Sequence, residues 1–359
     1  MGSHLSRDLQ RVSLKKKSKK KKQKNNGSNK SSSIMTSSGS SNSRHYHQQQ
    51  HINDSGFMMR QGEEIQSHSS SSKKSSAGIT TTISGRDFHS NESSAYWLPK
   101  DEEEQDRLIG QHFAIKEVYQ GNFLSEVSKY VPFHKGARIC DVGCGAGAWM
   151  MDMAMEFPNC TFEGVDMVEV NKFEAMPNRI NITFGDVTDK LDYPDGVFDF
   201  VHMRLFVLAL REDEWEHAIQ EAVRIAKPGG VIQLLEYYFT PDFDDHPNVG
   251  KCANAIIDTM GARGQDPYIG PKQPRILTQA GCKVIQVDNR AIDMSNNTAA
   301  ARKFLWNWER VLKSMMPMLG PHLGMLEAEE QKVFMEDVLR GLPECGKFYW
   351  MYCAAAQKL

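Results

Sequence analysis

The sequence lacks any apolar run long enough to cross a membrane, and it shows no signal-peptide core. It therefore reads as neither a membrane-spanning nor a secreted chain, but as an intracellular one. Its seven cysteines, at positions 140, 144, 160, 252, 282, 345 and 353, are odd in number, and none stands in paired C-x-x-C spacing. That excludes a zinc ribbon and a disulfide scaffold, and it predicts reduced, mostly buried thiols. Net charge is also scarce, at −2 over 359 residues, but the small total hides an asymmetry. Residues 1–95 carry 16 Lys+Arg against 6 Asp+Glu, a balance of +10, which leaves 27 basic and 39 acidic residues, or −12, for the rest. A basic tail is joined to an acidic body. The body lacks the basic face that phosphate contacts need, which argues against specific nucleic-acid binding by the folded part.

The tail itself is short of apolar residues. Residues 1–93, rich in Ser, Lys, Asn, Gln and His, cannot bury enough surface to offset chain entropy, so a disordered, low-complexity segment is expected. His45, His47 and His51 read as compositional drift or as a metal-binding tract, the former with the greater weight. Met1-Gly2-Ser3-His4-Leu5-Ser6 fits the myristoylation pattern, with Gly2 as acceptor, and Lys15-Lys16-Lys17-Ser18-Lys19-Lys20-Lys21-Lys22 follows it. One acyl chain binds a membrane only marginally, and a polybasic run near anionic lipid supplies the second signal. The same residues admit other readings: an expression-tag remnant at Met1–His4, a nuclear localisation signal in the lysine run, or a solvated tail. The localisation expected is cytoplasmic with membrane association, with the nucleus as alternative. Ser18 lies inside the basic run, where a phosphate cancels up to about two charges.

The chemistry is concentrated at Asp141-Val142-Gly143-Cys144-Gly145-Ala146-Gly147. A short apolar run precedes it and a helical stretch follows, so it reads as strand, glycine-rich turn and helix. Gly143, Gly145 and Gly147 let the backbone turn tightly and approach a ligand, with helix N–H groups behind. The spacing D-x-G-x-G-x-G is neither the G-x-G-x-x-G of dinucleotide folds nor a phosphate loop, and no lysine closes it. An acid at its start suits a ligand carrying an ammonium group, as S-adenosylmethionine does. Thr161–Asp166 and Ile180–Val187 read as two further strands. Asp166 ends the first, placed for ribose hydroxyls, and Asp186 with Val187 ends the second, placed for adenine. Val197–His202 and Val231–Glu236 complete five strands, the last opened by Lys227-Pro228-Gly229-Gly230. Strands alternating with helices predict an α/β fold: a doubly wound, mostly parallel, Rossmann-like sheet with helices on both faces.

In this order the motifs resemble a class I S-adenosylmethionine-dependent methyltransferase. Tyr96-Trp97-Leu98-Pro99-Lys100-Asp101, Gln111-His112 and Val201-His202-Met203-Arg204 are similar to the fungal LaeA/UMTA-type methyltransferases. The resemblance covers about residues 96–359, within a methyltransferase domain expected at 94–359. It implies a seventh, antiparallel strand at Phe348–Ala355, S-adenosylmethionine as cofactor and, in several members, a regulatory role, while leaving the methyl acceptor, a small molecule or a protein, undefined. Asp141 is expected at the loop or the methionyl ammonium. His202 is the candidate for a catalytic group near the transferred methyl, set against a structural hydrogen bond. Arg204 reads as binding an acidic acceptor or pairing with a body carboxylate. His112, on a helix expected to pack on the sheet, reads as packed or as approaching the cofactor. Helical insertions are expected at about 249–280 and 298–341, where Met315, Met316, Met318 and Met325 read as a flexible lid or as core filling. No Asn/Asp-Pro-Pro-aromatic tetrad follows the fourth strand, which disfavours the amino-methylating enzymes that use it. Two functions stay open: an active methyltransferase, or a cofactor-binding regulatory protein with little turnover that acts through partners.

Overall fold

A computed structural model describes residues 80–83, 85–89, 95–168, 176–239, 246–345 and 347–359. Gly2, the lysine run, Ser18 and His45, His47 and His51 lie outside the described residues. Two short strands, β1 (Thr80–Ile83) and β2 (Arg86–His89), pair antiparallel within the stretch expected to be disordered. Phe88 is buried, and Arg86 forms a bidentate pair with Asp101.

The main sheet has seven strands in the order β5-β4-β3-β6-β7-β9-β8. These are β3 (Arg138–Val142), β4 (Thr161–Asp166), β5 (Ile180–Phe184), β6 (Phe198–Arg204), β7 (Ala226–Phe239), β8 (Cys282–Asp293) and β9 (Lys347–Lys358). The strands β5-β4-β3-β6-β7 are mutually parallel, and β9 runs antiparallel to both β7 and β8. The central strands β3 and β6 bury most of their side chains, as a parallel sheet packed by helices requires. Strand order reverses at β3, so the crevice for a ligand opens beyond the carboxyl ends of β3, β4 and β6.

The helices are α1 (Glu102–Tyr119), α2 (Ala148–Glu156), α3 (Trp215–Ile225), α4 (Pro247–Ala262), α5 (Gln273–Gln279), α6 (Ala299–His322) and α7 (Ala328–Cys345). The Asp101 side chain caps α1 through the Glu104 N–H at 3.0 Å, with three glutamates in the first turn favoured by the helix dipole. The side of α1 that carries His112 and Ile115 faces the sheet, beside His202, Arg204 and Leu235, and another side packs along α6. Arg107 donates to Asn307 at 2.9 Å, and Ser314 donates to Glu104 at 2.9 Å, all four side chains being buried. Buried polar partners decide the docking, since each of these groups would otherwise be desolvated without compensation. Lys227–Gly230 does not merely precede a strand but lies within β7, where pairing with β6 slips between Ala226 and Val231 and Gly229 takes φ +77°. The helix α6 runs on to His322 through Pro317, with Met315, Met316 and Leu319 buried on its inner face. All seven cysteines are unbridged, and all but Cys345 are buried. No helix among the described residues is long and apolar enough to cross a membrane.

Candidate functional site

A cavity of about 210 Å³ opens at the carboxyl edge of the sheet, lined among others by Gly143, Gly145, Asp166, Asp186, Val187 and Arg204. The chain folds around it for local reasons. Gly143 has φ +68°, and a Cβ there would stand 2.5 Å from the Phe206 ring, so only glycine lets the loop pass under that side chain. Gly143 and Cys144 both donate to the Val165 carbonyl, at 2.7 and 3.1 Å, which ties the loop to the end of β4. Asp166 completes the tie: one carboxylate oxygen accepts from Gly145 N at 2.8 Å and the other from Val168 N at 3.0 Å. Burial raises Asp166 to about 6, against these backbone donors, which pull it down. Asp186 accepts from the backbone N–H and the hydroxyl of Thr188, at 2.9 and 2.7 Å, an Asx turn that holds the β5 exit open.

Opposite the glycine loop, Leu205 adopts φ +61°, a left-handed conformation unusual for a branched residue. Buried Glu236 on β7 holds it there, accepting from Phe206 N and Val207 N at 2.9 Å each. Desolvation lifts Glu236 to about 8 despite those two donors. An acid directly after the apolar run Val231–Leu235 is the sequence signal for this brace. Nothing in the sequence marked Phe206 or Leu205, whose roles come from contacts distant along the chain.

Three of the expected site residues lie elsewhere. Asp141 and His202 face each other in register on β3 and β6, with the carboxylate 2.8 Å from imidazole Nδ1, and both are nearly sealed from solvent. The His202 ring stacks on Trp149 with centroids 4.0 Å apart, and burial lowers its affinity for a proton. Neither side chain lines the large cavity, so the pair is placed to hold the loop strand against β6 rather than to touch a methyl group. Gly147 is likewise outside the lining; it is the N-cap of α2, at φ +83°.

Arg204 shares a face with His202 by the two-residue period, but at the strand end it reaches the cavity. Its guanidinium donates to Nδ1 of His112 at 3.2 Å, and among the described residues no carboxylate lies within ion-pair distance of it. Nδ1 of His112 is thus an acceptor, so Nε2 carries the proton and donates to Asp152 at 3.1 Å, beside Lys116, whose ammonium is 2.6 Å from the same oxygen. Burial and the Arg204 charge hold His112 well below the ordinary imidazole range. His112 is a packed, neutral link, one step removed from the cavity.

Residues 139–230 match the family model described as a methyltransferase domain. The secondary metabolism regulator laeA of Coprinopsis cinerea is 34% identical over 158 residues, 43% of this chain and 39% of that protein. The laeA regulator of Aspergillus niger is 28% identical over 219 residues, 60% of this chain and 56% of that one. The methyltransferase str2 of Strobilurus tenacellus is 23% identical over 280 residues, 75% of this chain and 98% of that one. The chain thus spans about half the length of the laeA proteins it matches. Among solved structures, phosphoethanolamine N-methyltransferase 2 of Haemonchus contortus aligns with a TM-score of 0.44 at 14% identity, over 76% of this chain and 61% of that one, too loosely to bear on function. The chain thus carries a methyltransferase domain over residues 139–230, and it resembles the laeA regulators.

Proposed function

We propose that the protein binds S-adenosylmethionine in the cavity described above and transfers its methyl group to a small-molecule or protein acceptor. One observation carries the reading: the glycine loop, Asp166, Asp186 and an uncompensated arginine converge on one cavity at the switch point of the sheet. The residues fit the cofactor. Asp186 and Val187, after β5, receive the adenine. Asp166, after β4, keeps unused lone pairs for the ribose hydroxyls, each oxygen accepting a backbone N–H. Gly143 and Gly145, after β3, let the backbone approach the methionyl chain. Adjacent strands lie about 4.8 Å apart, so adenine over β5 and ribose over β4 carry the amino-acid end toward β3 and β6, where Arg204 faces the cavity. We assign Arg204 to the methionyl carboxylate. When bound, the cofactor supplies an electrophilic methyl on sulfur; an acceptor lone pair forms the new bond as the carbon–sulfur pair returns to sulfur. Residues of this chain orient and dehydrate that encounter.

Turnover of methyl-labelled S-adenosylmethionine with a cell extract, by the full chain and by a chain lacking the tail, tests the reading. Label transferred by either supports the enzyme. Tight cofactor binding with no transfer supports the regulatory alternative, which the relatives named as regulators favour.

A pH dependence follows from Asp166. The ionised carboxylate accepts both ribose hydroxyls and the protonated one does not, so binding of S-adenosylhomocysteine should be level above neutrality. Below about 6 it should weaken toward tenfold per pH unit. Isothermal titration from pH 5 to 8 reads this, and Asp166→Asn should flatten the profile while lowering affinity throughout.

The tail is proposed to bring this domain to anionic membrane through a myristoyl group on Gly2 and the basic run from Lys15 to Lys22. Each charge near such a surface contributes about 1 kcal/mol, so Ser18→Asp should weaken binding of the lipidated full chain to phosphatidylserine vesicles about fivefold. Unchanged partitioning would remove Ser18 as a switch, and binding indifferent to Gly2→Ala would remove the lipid anchor.

A further inference from the structure

A second, smaller cavity of about 70 Å³ adjoins the cofactor cavity and shares Tyr96, Leu108, Gln111 and Leu205 with it. Its far wall is the inner face of α6, where Trp308, Val311 and Met315 stand at helical spacing. The helices α6 and α7 form the insertion between β8 and β9, so the chamber exists because that insertion docks on α1. The docking is fastened by the buried Arg107–Asn307 and Glu104–Ser314 hydrogen bonds. Met315 is buried in this wall as core filling.

We infer that this chamber seats the methyl acceptor, and that the acceptor is a small, uncharged hydroxyl compound with a ring-sized apolar body. The inference rests on the cofactor reading above and adds the substrate class to it. Three observations carry it. The first is charge. Arg107 is the only charged side chain in the wall among the described residues, and it is already matched by Glu104, which accepts from both its Nε and its Nη2, and by Asn307. An ionic acceptor would lose its hydration with no partner to replace it, at a cost of several kcal/mol.

The second is size and polarity. At roughly 10–15 Å³ per water-sized group, 70 Å³ admits about five to seven such groups, the extent of one ring. A peptide would bring an N–H and a C=O per residue into walls that are mostly apolar, leaving them unpaired. The third is the single free polar group at the junction. Gln111 is 7% exposed; its amide nitrogen donates to the Tyr237 hydroxyl at 3.2 Å, and among the described residues its amide oxygen has no partner. That oxygen can accept the O–H of an acceptor whose body fills the chamber, which holds the hydroxyl oxygen at the border with the cofactor cavity. Transfer then forms the O–CH3 bond, returns the sulfur–carbon electron pair to sulfur, and releases the hydroxyl proton to water in the open cofactor cavity.

The test uses the full chain saturated with S-adenosylhomocysteine and three fluorine-19 probes read by NMR: 4-fluorophenol, fluorobenzene and 4-fluorobenzoate. Binding of 4-fluorophenol at least tenfold tighter than 4-fluorobenzoate is expected. Val311→Trp, which fills the chamber, should abolish it with the homocysteine affinity changed less than twofold, and Met315→Phe should weaken it in the same sense. Gln111→Leu should erase the preference for 4-fluorophenol over fluorobenzene. The inference is overturned if the benzoate binds as well as the phenol, if no probe binds, or if the chamber-filling variants leave phenol binding unchanged. Failure of the unaltered protein to bind S-adenosylhomocysteine would instead overturn the cofactor reading beneath it.

Discussion

Arg204→Ala should weaken binding of S-adenosylhomocysteine by about 30-fold while leaving 5′-methylthioadenosine, which lacks the amino-acid end, almost unaffected. The guanidinium is half-buried at the end of β6 with a neutral histidine as its hydrogen-bond partner and no carboxylate in ion-pair range among the described residues. A hydrogen-bonded charge contact of this kind contributes about 2 kcal/mol, which is the 30-fold quoted. Arg204→Lys should recover only part of it, since an ammonium cannot present the two parallel N–H groups that match a carboxylate. The apo protein should respond in the opposite sense. An unpaired, half-buried cation adds little to stability, so Arg204→Ala should melt no lower than the parent without ligand, yet lose most of the shift that S-adenosylhomocysteine gives the parent. Titration calorimetry with both ligands and thermal melts with and without them decide the point. Equal losses for the two ligands would move Arg204 from the carboxylate to the nucleoside or to the fold. No loss for either would return it to the acidic-acceptor reading.

The same residue shows where the sequence is legible and where it is not. The glycine loop, Asp166 and Asp186 are readable because each lies within a few residues of the strand it terminates, and a strand followed by turn chemistry is a local pattern. The antiparallel seventh strand came through the family likeness, and the structure places it at Lys347–Lys358. What escaped depends on partners distant in the chain. Asp141 looks like a ligand group until β3 and β6 are set side by side and its neighbour across the ladder is His202, 61 residues on. Arg204 could be read as pairing with some carboxylate of the acidic body, but the nearby acids are already taken, Asp141 by His202 and Asp152 by Lys116 and His112. The amphipathic spacing of α1 predicts a buried face without saying what buries it, and it is the buried Glu104, Arg107, Asn307 and Ser314 that choose α6. The short hairpin at 80–89 is hidden by the composition around it, because one buried phenylalanine and one ion pair do not register in an average.

Gly143→Arg should abolish S-adenosylhomocysteine binding with the far-ultraviolet circular dichroism unchanged, and Gly143→Ala should reduce affinity at least tenfold. Two costs coincide at this residue. A side chain at φ +68° disfavours the left-handed backbone by about 1–2 kcal/mol, and the added Cβ meets the Phe206 ring at 2.5 and 2.7 Å. That ring cannot simply retreat: it is buried, and the Phe206 and Val207 N–H groups are held by Glu236. The strain therefore passes to the loop, which is tied to β4 only through the Val165 carbonyl and the Asp166 carboxylate, and both cavity walls shift together. The rest of the sheet has no contact to lose, which is why the fold should survive. A double-mutant cycle separates the two costs. Phe206→Leu removes the edge of the ring that meets the Cβ, so Gly143→Ala should cost less in that background, by the part of the penalty that is steric. A penalty identical in both backgrounds would assign it wholly to the backbone conformation, and unimpaired binding by Gly143→Arg would show that the cofactor does not lie over this loop.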